Sequence, residues 1–92
     1  MVDIPKTDYK IQLTIKSPLE LLYRGVVEAL TFFNESGKFD VLPLHANLIS
    51  IIKDKVIIYE KSNTQKEIKI EEGIVKIFEN NVDIFIGVKS IS

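Results

Sequence analysis

The sole histidine, His45, lies in the segment KFDVLPLHANLIS (Lys38–Ser50), close to Pro43 and Asn47 and set between two apolar runs. Imidazole is the side chain whose charge changes nearest neutral pH, so His45 is the first place to look for proton transfer or activation of a nucleophile. Such a constellation also needs a hydroxyl and an acid. Ser36, Ser50 and Asp40 are the candidates, and nothing in their spacing is specific to hydrolysis. Zinc requires three or four ligands; with no cysteine and one histidine, Asp40 beside His45 makes only two. Nucleotide phosphates are cradled by clustered glycines beside a lysine at the mouth of a helix, whereas Gly25, Gly37, Gly73 and Gly87 are isolated. The residues therefore favour His45 as a loop imidazole that hydrogen-bonds backbone or a partner. They imply no catalytic group, no cofactor and no metal.

Twelve Lys plus Arg stand against thirteen Asp plus Glu, interspersed along the chain, for a net charge of −1. No basic stripe is available to hold a phosphate backbone, which argues against a nucleic-acid partner. The first ten residues, MVDIPKTDYK, lack the apolar run of a signal peptide. No segment approaches the roughly 20 apolar residues of a membrane-spanning helix. The expectation is a cytosolic chain.

Any site must be positioned by one small body, because 92 residues bury a single core. Period two is the clearest pattern: in Tyr9–Lys16, YKIQLTIK, Ile11, Leu13 and Ile15 share one face and Lys10, Gln12, Thr14 and Lys16 the other. Fifteen isoleucines and eight valines, stiff at the first side-chain torsion, tilt the composition toward strands. Ser17-Pro18 ends the first strand. Leu21–Asn34 reads as one or two strands broken near Gly25, and Asn34-Glu35-Ser36-Gly37 as a turn. Phe39–Leu42 precedes Pro43; Leu48–Ile52 and Val56–Glu60 are separated by the solvated run Lys53-Asp54-Lys55. Ile68 and Ile70 alternate with charges, Gly73 punctuates, and Val75, Ile77, Val82 and Ile84 resume the alternation. The best helical candidate, Ala46–Lys53, is too short and too isoleucine-rich to favour more than one turn. Phe32 and Phe33 are adjacent, so on a strand one of them faces away from the core.

These patterns predict an all-β fold, a flattened barrel or β-sandwich of two mostly antiparallel sheets of short strands. Residues 1–92 form one domain in this reading, with 1–8 a flexible amino-terminal segment. The expected core is Ile11, Leu13, Ile15, Leu30, Phe39, Ile68, Ile70, Val75, Ile77, Val82 and Ile84.

The order of the pieces resembles the amino-terminal β-sandwich domain of the epsilon subunit of rotary F-type ATP synthases. The opening strand Ile11–Ile15 leads to Ser17-Pro18, and YRGVVEAL (Tyr23–Leu30) is similar to the family's aromatic-x-G-x-V-x-x-[IV]. SGKFDVLPLHANLI (Ser36–Ile49) resembles E-G-x-[LF]-G-[IV]-L-P-G-H-A-P-L-[LI]. GIVKI (Gly73–Ile77) and NVDI (Asn81–Ile84) resemble the closing motifs, so the likeness spans roughly residues 9 to 88. Asp40 and Leu44 stand where the family usually has glycine, Asn47 where it has proline, and Glu72 where it has the first of two glycines.

The resemblance implies a non-catalytic rotor subunit of the central stalk. It would dock between the gamma subunit and the c-ring and so couple proton-driven rotation to ATP synthesis. It further implies contacts through Glu35, Ser36, Gly37 and Lys38 and through Leu42, Pro43, Leu44 and His45. The protein would lie at the cytoplasmic face of the inner or plasma membrane, peripheral and held by the complex without inserting. The other reading is a stand-alone adaptor of the same fold with a different protein partner. Family members commonly continue into a helical hairpin that restrains ATP hydrolysis; with the sequence ending at Ser92, the expectation is coupling without regulation.

Overall fold

A computed structural model describes residues 10–87; the expected flexible segment 1–8 lies outside them. Seven strands follow in chain order: β1 (Ile11–Lys16), β2 (Leu21–Val27), β3 (Ala29–Asn34), β4 (Gly37–Val41), β5 (Leu48–Tyr59), β6 (Gln65–Phe78) and β7 (Asn81–Ile86). There is no helix among the described residues, and Ala46–Lys53 instead runs into β5. The strands form one hydrogen-bonded sheet in the order β2-β1-β7-β6-β5-β3-β4, antiparallel throughout except where β1 lies parallel to β7.

The two layers of the sandwich are thus parts of one continuous sheet, and β5 and β6 are long enough to run through both. The run Lys53-Asp54-Lys55 is not a turn between strands but a mid-strand irregularity. Register passes from Lys53↔Glu72 to Lys55↔Lys69, so Asp54 alone opposes Ile70 and Glu71. Such a two-against-one bulge bends and twists a ladder, and Asp54 adopts a φ of 71°, a conformation aspartate tolerates better than most residues. The bulge also shifts the phase of β6: Val75 and Ile77 point inward from odd positions, Ile68 and Ile70 from even ones.

The sheet curls far enough for its first and fifth strands to meet. Tyr23 of β2 donates its hydroxyl to Glu60, just beyond β5, and Lys66 of β6 pairs with the same carboxylate at 3.5 Å while lying over the Tyr23 ring. The chain crosses between layers at Glu28, whose N–H donates to the Tyr59 carbonyl at 2.8 Å. That is where the segment Leu21–Asn34 breaks. Gly25 lies inside β2 beside the Tyr23 ring, which a Cβ there would meet at an ordinary contact distance of 3.4 Å. Gly73 likewise sits inside β6, where a Cβ would come within 3.0 Å of the Phe85 carbonyl.

The core contains Ile11, Leu13, Ile15, Leu30, Val75, Ile77, Val82 and Ile84, as the alternation requires, with Phe39, Ile68 and Ile70 half-buried against it. Val27, Phe32, Val41, Ile52, Val56 and Ile58 complete it. Of the aromatic pair, Phe32 points in and Phe33 out, its ring under the Lys55 ammonium.

The Tyr23 clasp makes stability fall at alkaline pH. Burial first, and then the hydrogen bond to the Glu60 carboxylate and its charge, push the Tyr23 phenol up to about 12 from an ordinary 10.0. A raised pKa means the folded state holds the proton more tightly. The contribution is therefore complete below pH 10 and disappears as pH rises through about 12. Tyr23→Phe is expected to be less stable than the parent at pH 9 and to lose less between pH 9 and 11.5, read from urea midpoints. Equal losses in the two proteins would show that the clasp does not govern the alkaline limb.

Candidate docking surface

β4 separates the two segments singled out in the sequence. Glu35 and Ser36 form the β3–β4 turn and Gly37 and Lys38 open β4 at one end; Leu42, Pro43, Leu44 and His45 follow β4 at the other. Lys38 and Leu42 are four residues apart on extended chain, about 13 Å at the usual strand rise. They cannot touch one small feature of a partner together. The hairpin turn is tight because the Asn34 Oδ1 accepts from the Ser36 N–H at 2.8 Å and Gly37 takes a φ of 116°. Glu35 lies near Lys53 at 3.9 Å, an exposed pair of little energetic weight.

The second segment is a β-turn in which the His45 N–H donates to the Leu42 carbonyl at 3.1 Å. Pro43 pre-sets its first central position, and Leu44 takes the second with a φ of 70°. A positive φ at that position marks a type II turn, for which glycine is preferred. This explains why glycine is usual there in the resembled family, and it leaves Leu44 strained. Asp40, by contrast, lies in regular β4, where its carboxylate accepts from the buried Thr31 hydroxyl at 2.6 Å. Leu44→Gly is expected to stabilise the domain by about 0.5 to 1 kcal/mol, the relief of left-handed strain exceeding glycine's added unfolded-state entropy. Leu44 is 64% exposed, so little burial is lost. A fall in the denaturation midpoint would show the turn to be relaxed as it stands.

His45 is half-buried, and its Nδ1 donates to the Ala46 carbonyl at 2.7 Å. The hydroxyl and acid that could have joined it lie elsewhere: Ser50 donates to the Ile51 carbonyl, Asp40 is engaged by Thr31, and Ser36 is in the far turn. The geometry brings together no triad around the imidazole. Among the described residues, no group of three or more His, Asp or Glu is arranged to hold a metal ion.

The loop does not stand alone. The Leu44 N–H donates to the Asn80 Oδ1 at 2.7 Å and the Glu79 N–H to the Asn47 Oδ1 at 2.8 Å, which pins Leu42–Asn47 to the β6–β7 turn. Beside this junction a shallow groove is lined by Asn47, Leu48, Ile49, Lys76, Ile77 and Phe78. It opens onto the outer face of β5, β6 and β7, where Ile51, Ile74 and Phe85 form one cross-strand row. Ile49 and Ile51 are 69% and 63% exposed, and Phe78 and Phe85 are exposed beside them. Leu42 and Leu44 extend the apolar surface into the loop. Period-two reasoning missed this face because it assigns apolar residues to the core; a signal was present in the run Leu48–Ile52, which apart from Ser50 is apolar on both faces of a strand.

The arrangement can bury apolar area against a partner, and a patch of this kind on a small domain marks an interaction site. No helix of the described residues is long and apolar enough to cross a membrane.

Known proteins resemble the chain in sequence and in fold. The chain is 42% identical over 71 residues to the ATP synthase epsilon chain of Nitratiruptor sp., covering 76% of this chain and 55% of the relative. It is 37% identical over 73 residues to that of Campylobacter jejuni, covering 78% and 57%. With the epsilon chain of Leptospira borgpetersenii the values are 32% over 76 residues, 83% and 60%. The chain thus spans little more than half the length of these relatives. Its fold superposes on a chain of the mitochondrial ATP synthase of Euglena gracilis with a TM-score of 0.80 at 22% identity, covering 92% of this chain and 53% of that one. A chain of the Tetrahymena thermophila mitochondrial ATP synthase central stalk and c-ring matches with a TM-score of 0.69 at 14% identity, covering 84% and 63%. The family described as the β-sandwich domain of the ATP synthase delta/epsilon chain matches residues 10–88, and the chain belongs to it.

Proposed function

We propose that this domain is a non-catalytic rotor element of an F-type ATP synthase, docked between the gamma subunit and the c-ring so that the two turn together. The observation that carries the reading is the exposed apolar face of β5–β6–β7 joined to the Leu42–His45 loop. The relatives are named as epsilon chains of ATP synthase, and the fold recurs in structures of central stalk and c-ring. In this reading the apolar face and the Leu42–His45 loop meet gamma, and the Glu35–Lys38 turn, at the other end of β4, reaches the ring. Their separation suits a wedge between two bodies. Transmission of torque requires stiffness, which a close-packed core joined by one continuous ladder supplies. The domain is then peripheral to the membrane, on its cytoplasmic side, and held there through the complex.

Reconstitution with gamma and the c-ring tests the proposal. Lys38→Glu and His45→Ala are each expected to weaken assembly several-fold, and their free-energy effects should add because the sites are more than about 10 Å apart. The Lys38→Glu effect should shrink at high salt, as rim charges act over a screened distance. If both variants assemble as well as the parent, the loops are not contacts. Failure of the parent itself to bind gamma or the ring would favour an adaptor with another partner.

A further inference from the structure

Two side-chain amides, Asn47 in the loop before β5 and Asn80 in the β6–β7 turn, tie this loop to the rest of the domain, which its own backbone does not do. Leu44 is in a left-handed conformation with its side chain exposed, so within the loop only Pro43 and the bond from the His45 N–H to the Leu42 carbonyl favour the turn, and neither fixes where it lies on the domain. Asn47 has a free φ, unlike a proline at that position. The restraint comes across the sheet end: the Asn80 Oδ1 accepts from Leu44 at 2.7 Å and the Asn47 Oδ1 accepts from Glu79 at 2.8 Å. The anchor is firm, because the Asn80 carbonyl accepts from the Gln12 N–H at 2.8 Å and Phe78 and Asn81 pair as the last rung of β6–β7. Both bonds use only the amide oxygen.

We infer that Asn47 and Asn80 are positioning residues for docking, a reciprocal staple that holds the Leu42–His45 loop level with the apolar face of β5–β6–β7 before a partner arrives. The inference rests on the docking reading above. A loop ordered in advance binds without the entropy cost of ordering, so loss of the staple weakens affinity without touching any contact residue. Asn47 is exposed and Asn80 only half-buried, so these hydrogen bonds compete with water. The staple therefore matters more to loop order than to the stability of the whole domain.

The test compares the parent, Asn47→Ala/Asn80→Ala, and Asn47→Asp/Asn80→Asp, which keeps both acceptor oxygens, in salt high enough to screen the added charge. Amide hydrogen exchange and affinity for gamma are measured on each. In the alanine pair, exchange at Leu44 and Glu79 should quicken about tenfold while core amides of β1 and β7 keep their rates, and affinity should fall roughly five- to tenfold. The aspartate pair should restore both. Unprotected Leu44 and Glu79 amides in the parent would show that the staple does not exist. Faster exchange with unchanged affinity, while His45→Ala still weakens binding, would overturn the positioning role and leave the docking reading standing. If neither His45→Ala nor the alanine pair alters affinity, the docking reading fails and the positioning role fails with it.

Discussion

Phe32→Ala lowers the free energy of unfolding by about 3 to 5 kcal/mol, whereas Phe33→Ala, one residue on, costs about 1 kcal/mol. The contrast follows from strand geometry: neighbours on β3 face opposite sides of the sheet. Phe32 is fully buried, with its ring centroid 5.4 Å from that of Phe39 in a tilted arrangement. Its removal forfeits the transfer energy of a large side chain and leaves a cavity that strands on all sides hinder from closing. Phe33 is half-buried on the outer face, and truncation removes mainly its contact with the Lys55 ammonium, 5.6 Å from the ring centroid. A domain of this size has a total stability of about 5 to 15 kcal/mol, so Phe32→Ala brings it near the limit of folding. Urea denaturation of the two variants checks the ranking. A larger loss for Phe33→Ala would place β3 one residue out of register, with every side chain on the wrong face.

How far the fold was legible depended on which faces were buried. β1 and β7 are half-buried with polar outer positions such as Gln12 and Asp83, so alternation alone located Ile11, Leu13, Ile15, Val82 and Ile84. β5 resisted the same treatment. Ile49 and Ile51 on its outer face are as apolar as Ile52, Val56 and Ile58 on its inner one, and a run without alternation has no readable phase. The bulge opposite Asp54 was hidden for a related reason: its evidence is the change of inward parity between Ile70 and Gly73 on β6, and a glycine in the run reads equally well as a strand end. Gly25 misled in the same way, since a ring packed over a glycine inside a strand resembles a break at the level of sequence. At the site, Pro43 announced a turn, and the positive φ at Leu44 was foreshadowed only by the glycine usual there in the resembled family. The amide bonds of Asn47 and Asn80 span 32 and 36 residues, and no local pattern encodes them.

Ile51→Asp should leave the domain as stable as the parent, within about 0.5 kcal/mol, yet weaken assembly with gamma about 30-fold or more. Ile51 is 63% exposed, so the folded domain gains little from it, and a carboxylate there is solvated while the domain is free. In a complex that covers the β5–β6–β7 face the same carboxylate would be buried in the cross-strand row with Ile74 and Phe85, whose members are apolar, while Lys76, the nearest cation across the ladder, lies opposite Ile49 and beside Asp83. An unpaired charge in an apolar interface is expelled or neutralised at a cost well above 2 kcal/mol, the threshold of an interface hot spot. Lys69→Asp supplies the control, because Lys69 is exposed on β6 across from Lys55, on the far side of the bulge from this row. It lowers the net charge by two where Ile51→Asp lowers it by one, and should still leave gamma binding within about twofold, since a charge outside the contact acts only through a screened field. Equal weakening by the two variants would indicate a general electrostatic effect and no localised face. Full assembly by Ile51→Asp would remove the apolar face from the interface and leave the two loops at the ends of β4 as the whole of the contact.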